Sequence, residues 1–298
     1  MKLKAGSMSF QNDYNYLVCC ICNSNDYSII TNGPIVQIIK CSGCGLMRQG
    51  SILFREDKDI FSFDGGAEHI RGQVKEKEDI QIKDHLEILN VINKHFPDKG
   101  KLLEIGCSTG KLLNEIRKDG WKVSGVEPQK WSCELAREKY NLDVINSTID
   151  DAGIKEKSLD VIVLIHVIEH LINPYESIKF IKKLLTPGGI LVLETPRYDS
   201  FMFRILKGRE RSVISGHLYY FTSNSLLSMS RKVGYSIIKY HSVGRTVTLD
   251  RLCYYAAKFF NSIVISKYIM KISMILRFHK IRLYFNLHDM IRLYIRNI

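Results

Sequence analysis

Four cysteines near the start of the chain have the spacing of a metal-binding site. They form two Cys-x-x-Cys pairs, Cys19 with Cys22 and Cys41 with Cys44, and 18 residues separate the pairs. Thiolates spaced in this way bind one tetrahedral zinc ion, and between the pairs two short β-branched segments flank an Asn-Gly-Pro turn. The pattern predicts a zinc ribbon over residues 14–50. Four thiolates leave no coordination position for water, so the predicted zinc ion is structural.

A second group of chemically informative residues follows the apolar segment 101–105. The sequence Glu-Ile-Gly-Cys-Ser-Thr-Gly runs from Glu104 to Gly110. Gly106 and Gly110 permit a tight turn, and Glu104 places a carboxylate where it can accept hydrogen bonds from a cationic amine. Glu127 ends the next apolar segment, where an acid can bind both hydroxyls of a ribose. These features predict two halves of one nucleoside site.

The pattern of the glycine-rich turn indicates which nucleoside ligand it suits. A dinucleotide site would have G-x-G-x-x-G, with backbone amides directed at a pyrophosphate. Here the pattern is E-x-G-x-S-x-G, and its acid favours a ligand with a positively charged amino-acid tail, such as S-adenosylmethionine. Ser108 stands where a middle glycine is usual, and we expect the turn to hold this serine without a positive φ.

Three polar residues after the apolar segment 159–165 have the types needed for acid-base chemistry. His166, Glu169 and His170 have i, i+3 and i+4 spacing, so we expect one helical face to present all three. His217 follows a later strand, after a glycine that suggests a loop folding back over the site. One interpretation is that His170 and His217 are general bases. Another is that Glu169 and His170 only cap the helix.

The elements that must position these residues alternate between helical and strand patterns from residue 79 to about 240. Helical patterns cover 79–96, 109–120 and 132–141, and apolar strand patterns cover 101–106, 121–128, 143–146, 159–166 and 189–195. Strands that alternate with helices form a parallel sheet with helices on both faces. The predicted fold class is therefore α/β, with a doubly wound, Rossmann-like sheet.

Five motifs together resemble a class I S-adenosylmethionine-dependent methyltransferase. They are LLEIGCSTG, GVEP, SLDVIVLIHVIEHL, LTPGGILVLETP and GHLYYFTSNSL, in that order. The branch that the chain resembles carries an N-terminal zinc ribbon and often modifies sugars or other small biosynthetic intermediates. The resemblance implies that the turn surrounds the methionine part of the cofactor, that Glu127 holds the ribose, and that Ile149 and Asp150 border the adenine. The implied cofactor-binding residues are Glu104, Gly106, Cys107, Ser108, Gly110, Glu127, Pro128, Ile149, Asp150, Ile165 and His166.

The resemblance also adds a third interpretation of the histidines. An E-x-x-E-H sequence with a distal histidine binds a divalent cation in ubiquinone-pathway O-methyltransferases and in small-RNA 3′-terminal 2′-O-methyltransferases. Glu169, His170 and His217 match this set, whereas His166 replaces its first glutamate. The implied cation is Mg²⁺. The base, metal and capping interpretations all stay open at this point.

The expected domain organisation follows from these patterns. We expect residues 1–13 to be a tag or a disordered segment, 14–50 the zinc ribbon, 51–78 a linker and 79–298 the methyltransferase domain. Within that domain, the resemblance makes residues 247–285 a helical insertion.

The insertion separates the last two predicted strands. Its helices are expected at about 249–261 and 264–278, between strand six at 235–242 and strand seven at 289–296. Residues 251–298 contain nine Lys or Arg and one acid, so they supply +8 of the net charge of +12. Such a basic segment suits a dimer contact or a cover for the acceptor pocket better than a membrane anchor.

Composition restricts the class of protein. The chain has 298 residues, of which 45% are hydrophobic and 25% charged, which excludes collagen-like and disordered classes. Its apolar stretches fall far short of the ~18 residues that span a bilayer, so no transmembrane segment is expected. The start of the chain turns polar at once, and eight cysteines favour a reducing compartment, so we expect a cytoplasmic protein.

The function expected from the sequence is methyl transfer to a hydroxyl of a sugar or nucleotide-linked sugar, with His217 or His170 accepting the proton. Arginines and lysines at 197–211 would suit a phosphate-bearing acceptor. One alternative is a metal-assisted RNA 2′-O-methyltransferase, although the sequence has no aromatic and basic RNA-binding module. The other is a non-catalytic interaction protein that combines a zinc ribbon with a methyltransferase-like domain.

Overall fold

The computed structural model describes seven parts of the chain. They are residues 18–32, 36–50, 68–206, 216–253, 272, 276 and 278–298. The expected tag at 1–13 and most of both helices expected in the insertion lie outside the described residues.

The described strands and helices alternate along the middle of the chain. The strands are β1 (Tyr27–Asn32), β2 (Gln37–Cys41), β3 (Met47–Gln49), β4 (Lys101–Ile105), β5 (Lys122–Val126), β6 (Val144–Ile145), β7 (Leu159–Ile165), β8 (Leu185–Pro196), β9 (Tyr219–Tyr220), β10 (Tyr235–Ser242), β11 (Arg245–Thr248), β12 (Arg282–Phe285) and β13 (Met290–Asn297). The helices are α1 (Glu68–Leu86), α2 (Leu89–His95), α3 (Lys111–Lys118), α4 (Lys130–Tyr140), α5 (Pro174–Leu184), α6 (Phe201–Leu206) and α7 (Ser223–Lys232).

The central sheet has seven strands in the order β10, β13, β8, β7, β4, β5, β6. Neighbours from β8 to β6 are parallel, whereas β13 runs antiparallel to both β8 and β10. The predicted α/β fold is confirmed. The two segments predicted as strands six and seven lie side by side at one edge of this sheet, as β10 and β13.

Helices cover both faces of the central sheet because its inner strands are apolar on both sides. In β7, the side chains from Val161 to Leu164 are fully buried. Val161 packs with α2, α3 and α4 on one face, and Ile162 packs with α5 and α7 on the other. The carboxyl ends of the parallel strands are left to form a ligand site, as in other open α/β sheets.

A second sheet joins the N-terminal segment to the rest of the chain. Its order is β1, β2, β3, β9, and β3 pairs with β9 through Met47 with Tyr220 and Arg48 with Tyr219. Cys19 and Cys41 are buried in the same apolar cluster as Phe221. The cysteine-containing segment is therefore an integral part of the fold.

Two expectations from the sequence need correction. The first helix begins at Glu68 instead of residue 79, and a break after Leu86 separates it from α2. Residues 245–248 and 282–285 form an antiparallel hairpin, so the region expected to be a helical insertion also contains strands. In both segments the helical or strand pattern of the sequence is weak, and packing against a partner stabilises the element.

No helix among the described residues is long and apolar enough to cross a membrane.

Candidate functional site

The glycine-rich turn connects β4 to α3 at the carboxyl edge of the central sheet. The Gly106 amide donates to Val126 O at 2.8 Å, and the Gly110 amide donates to Cys107 O at 2.9 Å. A Cβ added to Gly106, whose φ is +70°, would lie 2.5 Å from Val167 Cγ2. The turn is thus packed tightly against the segment that follows β7, and a larger residue would push these segments apart.

The prediction for Ser108 was wrong. Its φ is 48°, so the serine adopts the left-handed conformation that we expected the turn to avoid. The Ser108 amide donates to Glu127 Oε2 at 2.8 Å, and this bond links the turn to the end of β5. The hydrogen bond offsets part of the cost of a positive φ at a residue with a Cβ.

Glu104 lies buried in β4, directly before the turn. Its Oε2 makes no hydrogen bond to any of the described residues. Burial, together with the charges of Glu78 and Glu127, raises the pKa of Glu104 well above its usual range. A buried acid without a charged partner is suited to receive a cationic group from a ligand. The amine of an amino-acid tail fits this position.

Glu127 follows β5 and is fixed by two backbone amides. Besides the bond from Ser108, its Oε1 accepts a hydrogen bond from the Gln129 amide at 2.8 Å. Burial raises the pKa of Glu127 despite these two bonds. Each carboxylate oxygen keeps further acceptor capacity, so the group can still bind the hydroxyls of a ribose.

The remaining residues predicted to bind the cofactor lie near the same edge. Cys107 and Ile149 are buried, and burial raises the pKa of the Cys107 thiol. Pro128 O accepts a hydrogen bond from Asn146 Nδ2 at 2.9 Å. Burial and the neighbouring Asp151 raise the pKa of Asp150. The contact of these residues with a cofactor stays a prediction.

Helix α1 contributes a residue that the sequence did not indicate. Glu78 accepts hydrogen bonds from the Thr109 amide and hydroxyl, and Asp79 forms an ion pair with Lys111. The helix is thereby attached to the glycine-rich turn. No spacing pattern connects Glu78 with Thr109, because only the folded chain brings them together.

Glu169 is the fully buried centre of the histidine cluster. It lies in a single 3₁₀ turn, Ile168–His170, where an α-helical face was expected. Its Oε2 accepts a hydrogen bond from Thr195 Oγ1 at 2.9 Å, and its Oε1 lies 3.5 Å from His166 Nδ1. Burial alone would raise the pKa of Glu169, but the close approach of His166 and the charges of the surrounding imidazoles lower it to about 2.

His170 and His217 meet beside Glu169. Their ring centroids are 4.7 Å apart, and one ligand atom from each of the three residues lies within 4.8 Å of the others. His170 Nδ1 lies 2.8 Å from Gly216 O. Because a carbonyl only accepts, Nδ1 must carry the proton, and Nε2 of neutral His170 keeps its lone pair.

The segment that carries His217 is fixed by the cysteine-containing sheet. Gln49 Nε2 donates to His217 O at 2.7 Å, and the Gln49 amide donates to Leu218 O at 2.9 Å. The Tyr198 hydroxyl is 3.1 Å from His217 Nδ1. Strand β3 therefore helps to hold a candidate catalytic residue.

His166 differs from the prediction that it shares one α-helical face with Glu169 and His170. It precedes the 3₁₀ turn, at the end of β7 after Ile165, with a φ of 56°. Its Nε2 lies 3.9 Å from Glu194 Oε1. Glu194 is held by Arg292, whose Nε donates to Oε2 at 2.7 Å. The sequence analysis identified neither Glu194 nor Arg292.

The four cysteines of the two Cys-x-x-Cys pairs converge at one point. The Sγ atoms of Cys19 and Cys44 are 3.4 Å apart, and so are those of Cys22 and Cys41. All four Sγ atoms lie within 4.8 Å of one another. A tetrahedron with metal-sulfur bonds of about 2.3 Å has edges of about 3.8 Å, so the arrangement fits one ion.

Comparison with known sequences gives a consistent family match. The model of the family described as "Methyltransferase domain" matches residues 79–240, which is more than half of the chain. The ubiquinone biosynthesis O-methyltransferase of Vibrio atlanticus is 32% identical over 114 residues, covering 36% of this chain and 48% of that protein. The tRNA N(3)-cytidine methyltransferase METTL2 of Danio rerio is 30% identical over 193 residues, covering 56% and 54%. The chain spans about half the length of these curated relatives.

Solved structures show a similar fold. A SAM-dependent methyltransferase from Archaeoglobus fulgidus has a TM-score of 0.50 at 16% identity, covering 74% of this chain and 97% of that one. A chain in the complex of the Haloferax volcanii Trm112 methyltransferase activator with a methyltransferase has a TM-score of 0.52 at 14% identity, covering 82% and 98%. At these identities the likeness concerns the fold alone.

The raised pKa of Glu104 predicts a pH-dependent effect of Glu104→Gln. The unfolded chain releases this proton at lower pH than the folded chain, so the carboxyl destabilises the fold increasingly as pH rises above its ordinary pKa. Glutamine removes that effect. We expect the Tm difference between Glu104→Gln and the natural protein to favour the variant more at pH 8 than at pH 5. Exposed Glu156→Gln should show no such trend, and an equal difference at both pH values would contradict the prediction.

Proposed function

This chain belongs to the methyltransferase domain family, and we propose that it transfers a methyl group from S-adenosylmethionine to a hydroxyl of a small polar acceptor. The proposed acceptor is a sugar or a nucleotide-linked sugar. The observation that carries this proposal is the pair of buried acids, Glu104 and Glu127, on either side of the glycine-rich turn. Their positions fit the amine and the ribose of the cofactor. When bound, the cofactor supplies an electrophilic methyl group.

The chain's own residues would prepare the acceptor. Placement of the acceptor in line with the methyl group can lower the barrier by about 7 to 11 kcal/mol in favourable cases. A hydroxyl acceptor must also lose its proton. His170 is the better candidate to receive it, because its Nδ1 is engaged by Gly216 O and its Nε2 keeps a lone pair. Glu169, ionised beside it, would stabilise the imidazolium that results.

We expect Glu127→Ala to weaken binding of S-adenosylhomocysteine by about 10- to 100-fold, because charge-assisted hydrogen bonds contribute about 1.5 to 3 kcal/mol. Calorimetric titration would measure the affinities. Glu127→Gln keeps the size of the side chain and one acceptor for the backbone amides. It therefore shows whether weaker binding comes from lost contacts with the ribose or from a distorted turn. Exposed Glu156→Ala is the control. Unchanged affinity in both Glu127 variants would refute the assignment of the ribose site.

Removal of the proposed base should affect turnover more than cofactor binding. After an acceptor is identified by screening nucleotide sugars with radiolabelled cofactor, we expect His170→Ala to lower kcat by about 100-fold or more. Affinity for S-adenosylhomocysteine should stay within about twofold of that of the natural protein. His95→Ala, at the end of α2 beside Arg296, serves as the control. An unchanged kcat in His170→Ala would exclude a base role for this residue.

A second candidate function is metal-assisted 2′-O-methylation of RNA. It is favoured by the convergence of Glu169, His170 and His217, which match the cation ligands that the resemblance implies. A similar protein named as a tRNA methyltransferase adds support for RNA as a substrate class. Methyl transfer to RNA that needs Mg²⁺, with RNA affinity falling steeply as salt rises, would support this candidate over the sugar acceptor. If the chain binds no cofactor at all, the non-catalytic interaction protein becomes the better interpretation.

We also propose that Cys19, Cys22, Cys41 and Cys44 bind one structural zinc ion. The convergent thiols fit the ion, and Gly43 supports them, since a Cβ there would lie 3.0 Å from Cys22 Sγ. The zinc ion would make the N-terminal sheet rigid and hence hold Gln49 against the His217 segment. Thiolate ligands need a reducing environment, in agreement with the expected cytoplasmic location.

Elemental analysis should find that purified Cys41→Ser contains about one zinc ion per chain fewer than the natural protein. Cys253→Ser, which changes a cysteine outside the cluster, should retain the ion. Because structural zinc binding contributes to folding, chelation should lower the Tm of the natural protein. A zinc content independent of Cys41 would rule out the proposed site.

A further inference from the structure

A second group of metal-ligand side chains contains His166 but not His170. His85 of α1, His166 and Glu194 of β8 each direct one ligand atom to a common point, and these atoms lie within 4.8 Å of one another. Both imidazole Nε2 atoms are 3.9 Å from Glu194 Oε1. The two rings are edge to face, with centroids 6.3 Å apart. The three residues come from separate parts of the sequence.

Glu194 is fixed so that one oxygen faces the two imidazoles. Arg292, fully buried, holds Oε2 through its Nε and donates through Nη2 to Asp84 O at 2.9 Å. Asp84 in turn accepts hydrogen bonds from the amide and hydroxyl of Thr246, at 2.6 and 2.9 Å. These bonds position His85, the next residue of α1. Contacts with residues outside this set of three therefore fix the positions of Glu194 and His85.

Glu169 completes the surroundings of His166. Its buried Oε1 makes no hydrogen bond within the described part of the chain and lies 3.5 Å from His166 Nδ1. Metal-bound histidines usually direct their second ring nitrogen at a carboxylate, which fixes the ring and makes it a stronger ligand. His166 has this arrangement, with Glu194 Oε1 and His85 Nε2 on its Nε2 side.

Two buried carboxylates, Glu169 and Glu194, lie among the histidines of this region. The guanidinium of Arg292 pairs with Glu194 through Oε2, and Lys77 interacts electrostatically with both carboxylates. Buried charges are costly unless they are paired or coordinate a metal. Glu194 Oε1, which faces the two imidazoles, is the oxygen left for a metal ion.

We propose that His85 Nε2, His166 Nε2 and Glu194 Oε1 bind a divalent transition-metal ion, distinct from the zinc ion of the cysteines. Two imidazoles and one carboxylate suit Zn²⁺, Mn²⁺, Fe²⁺ or Co²⁺, whereas Mg²⁺ and Ca²⁺ prefer oxygen ligands. Three protein ligands leave coordination positions open for an exogenous hydroxyl or water. Metal binding here does not depend on the proposed methyl transfer. In this arrangement Glu169 orients His166 and is not itself a ligand.

Titration of Co²⁺ into the full chain, loaded beforehand with one equivalent of zinc for the cysteine site, tests the proposal. We expect one further Co²⁺ ion per chain, seen as visible d-d absorption without the near-ultraviolet thiolate band that exchange into the cysteine site would produce. His85→Ala should lower the Co²⁺ affinity at least about tenfold, whereas His170→Ala and His95→Ala should leave it unchanged. Titration of S-adenosylhomocysteine into the same samples measures cofactor binding independently of the metal. A failure of the metal site can then be told apart from a failure of the proposed function.

Replacement of His85 by a different metal-ligating residue provides a second test if His85→Ala folds poorly. His85→Cys should bind Co²⁺ and add a near-ultraviolet thiolate-to-cobalt band that the zinc-loaded natural protein does not show. No further Co²⁺ binding by the natural protein would overturn the proposal. Binding that is lost in His170→Ala but retained in His85→Ala would also overturn it, because the ion would then belong to the group of Glu169, His170 and His217.

Discussion

The burial of four carboxylates near the carboxyl edge of the central sheet is the constraint on which the rest of the site depends. Each one is compensated in a different way. Arg292 pairs with Glu194, imidazoles surround Glu169, and two backbone amides bind Glu127. Glu104 has no oppositely charged partner among the described residues, and burial raises its pKa. A buried acid needs hydrogen bonds, a counter-charge or a proton, so the residue that lacks a counter-charge is the one best suited to a cationic ligand.

The N-terminal sheet also helps to position residues of this site. Through Gln49, strand β3 binds the backbone of His217 and of Leu218, and Leu218 N donates to Glu169 O at 2.8 Å. The cysteine cluster lies at the other end of this small sheet. A structural metal ion there would act on the candidate catalytic residues through main-chain hydrogen bonds, and direct contact with a substrate is unnecessary for this effect.

Helix α1 contacts two parts of the site, the glycine-rich turn and the group of residues around Glu194. Near its middle, Glu78 binds the glycine-rich turn through Thr109. In its last turn, Asp84 binds Thr246 and Arg292, and His85 faces Glu194. The same helix therefore contacts the turn that the cofactor would occupy and the histidines where an acceptor would react. A displacement of α1 would alter both at once.

The sequence by itself determined the features that depend on local pattern. The cysteine spacing, the glycine-rich turn after β4 and the apolar strands each lie in a short stretch of neighbouring residues, so the α/β fold could be predicted from them. Only the tertiary structure decided the partners that arrive from distant segments. His85 and Glu194 carry no signal in their own surroundings, and the bond from Arg292 to Asp84 spans 208 positions. Ser108 shows the same limit, because its positive φ is favoured by a bond to Glu127 that exists only once β4 and β5 are paired. Local propensity sets which elements form, whereas the pairing of buried charges is set by which elements pack together.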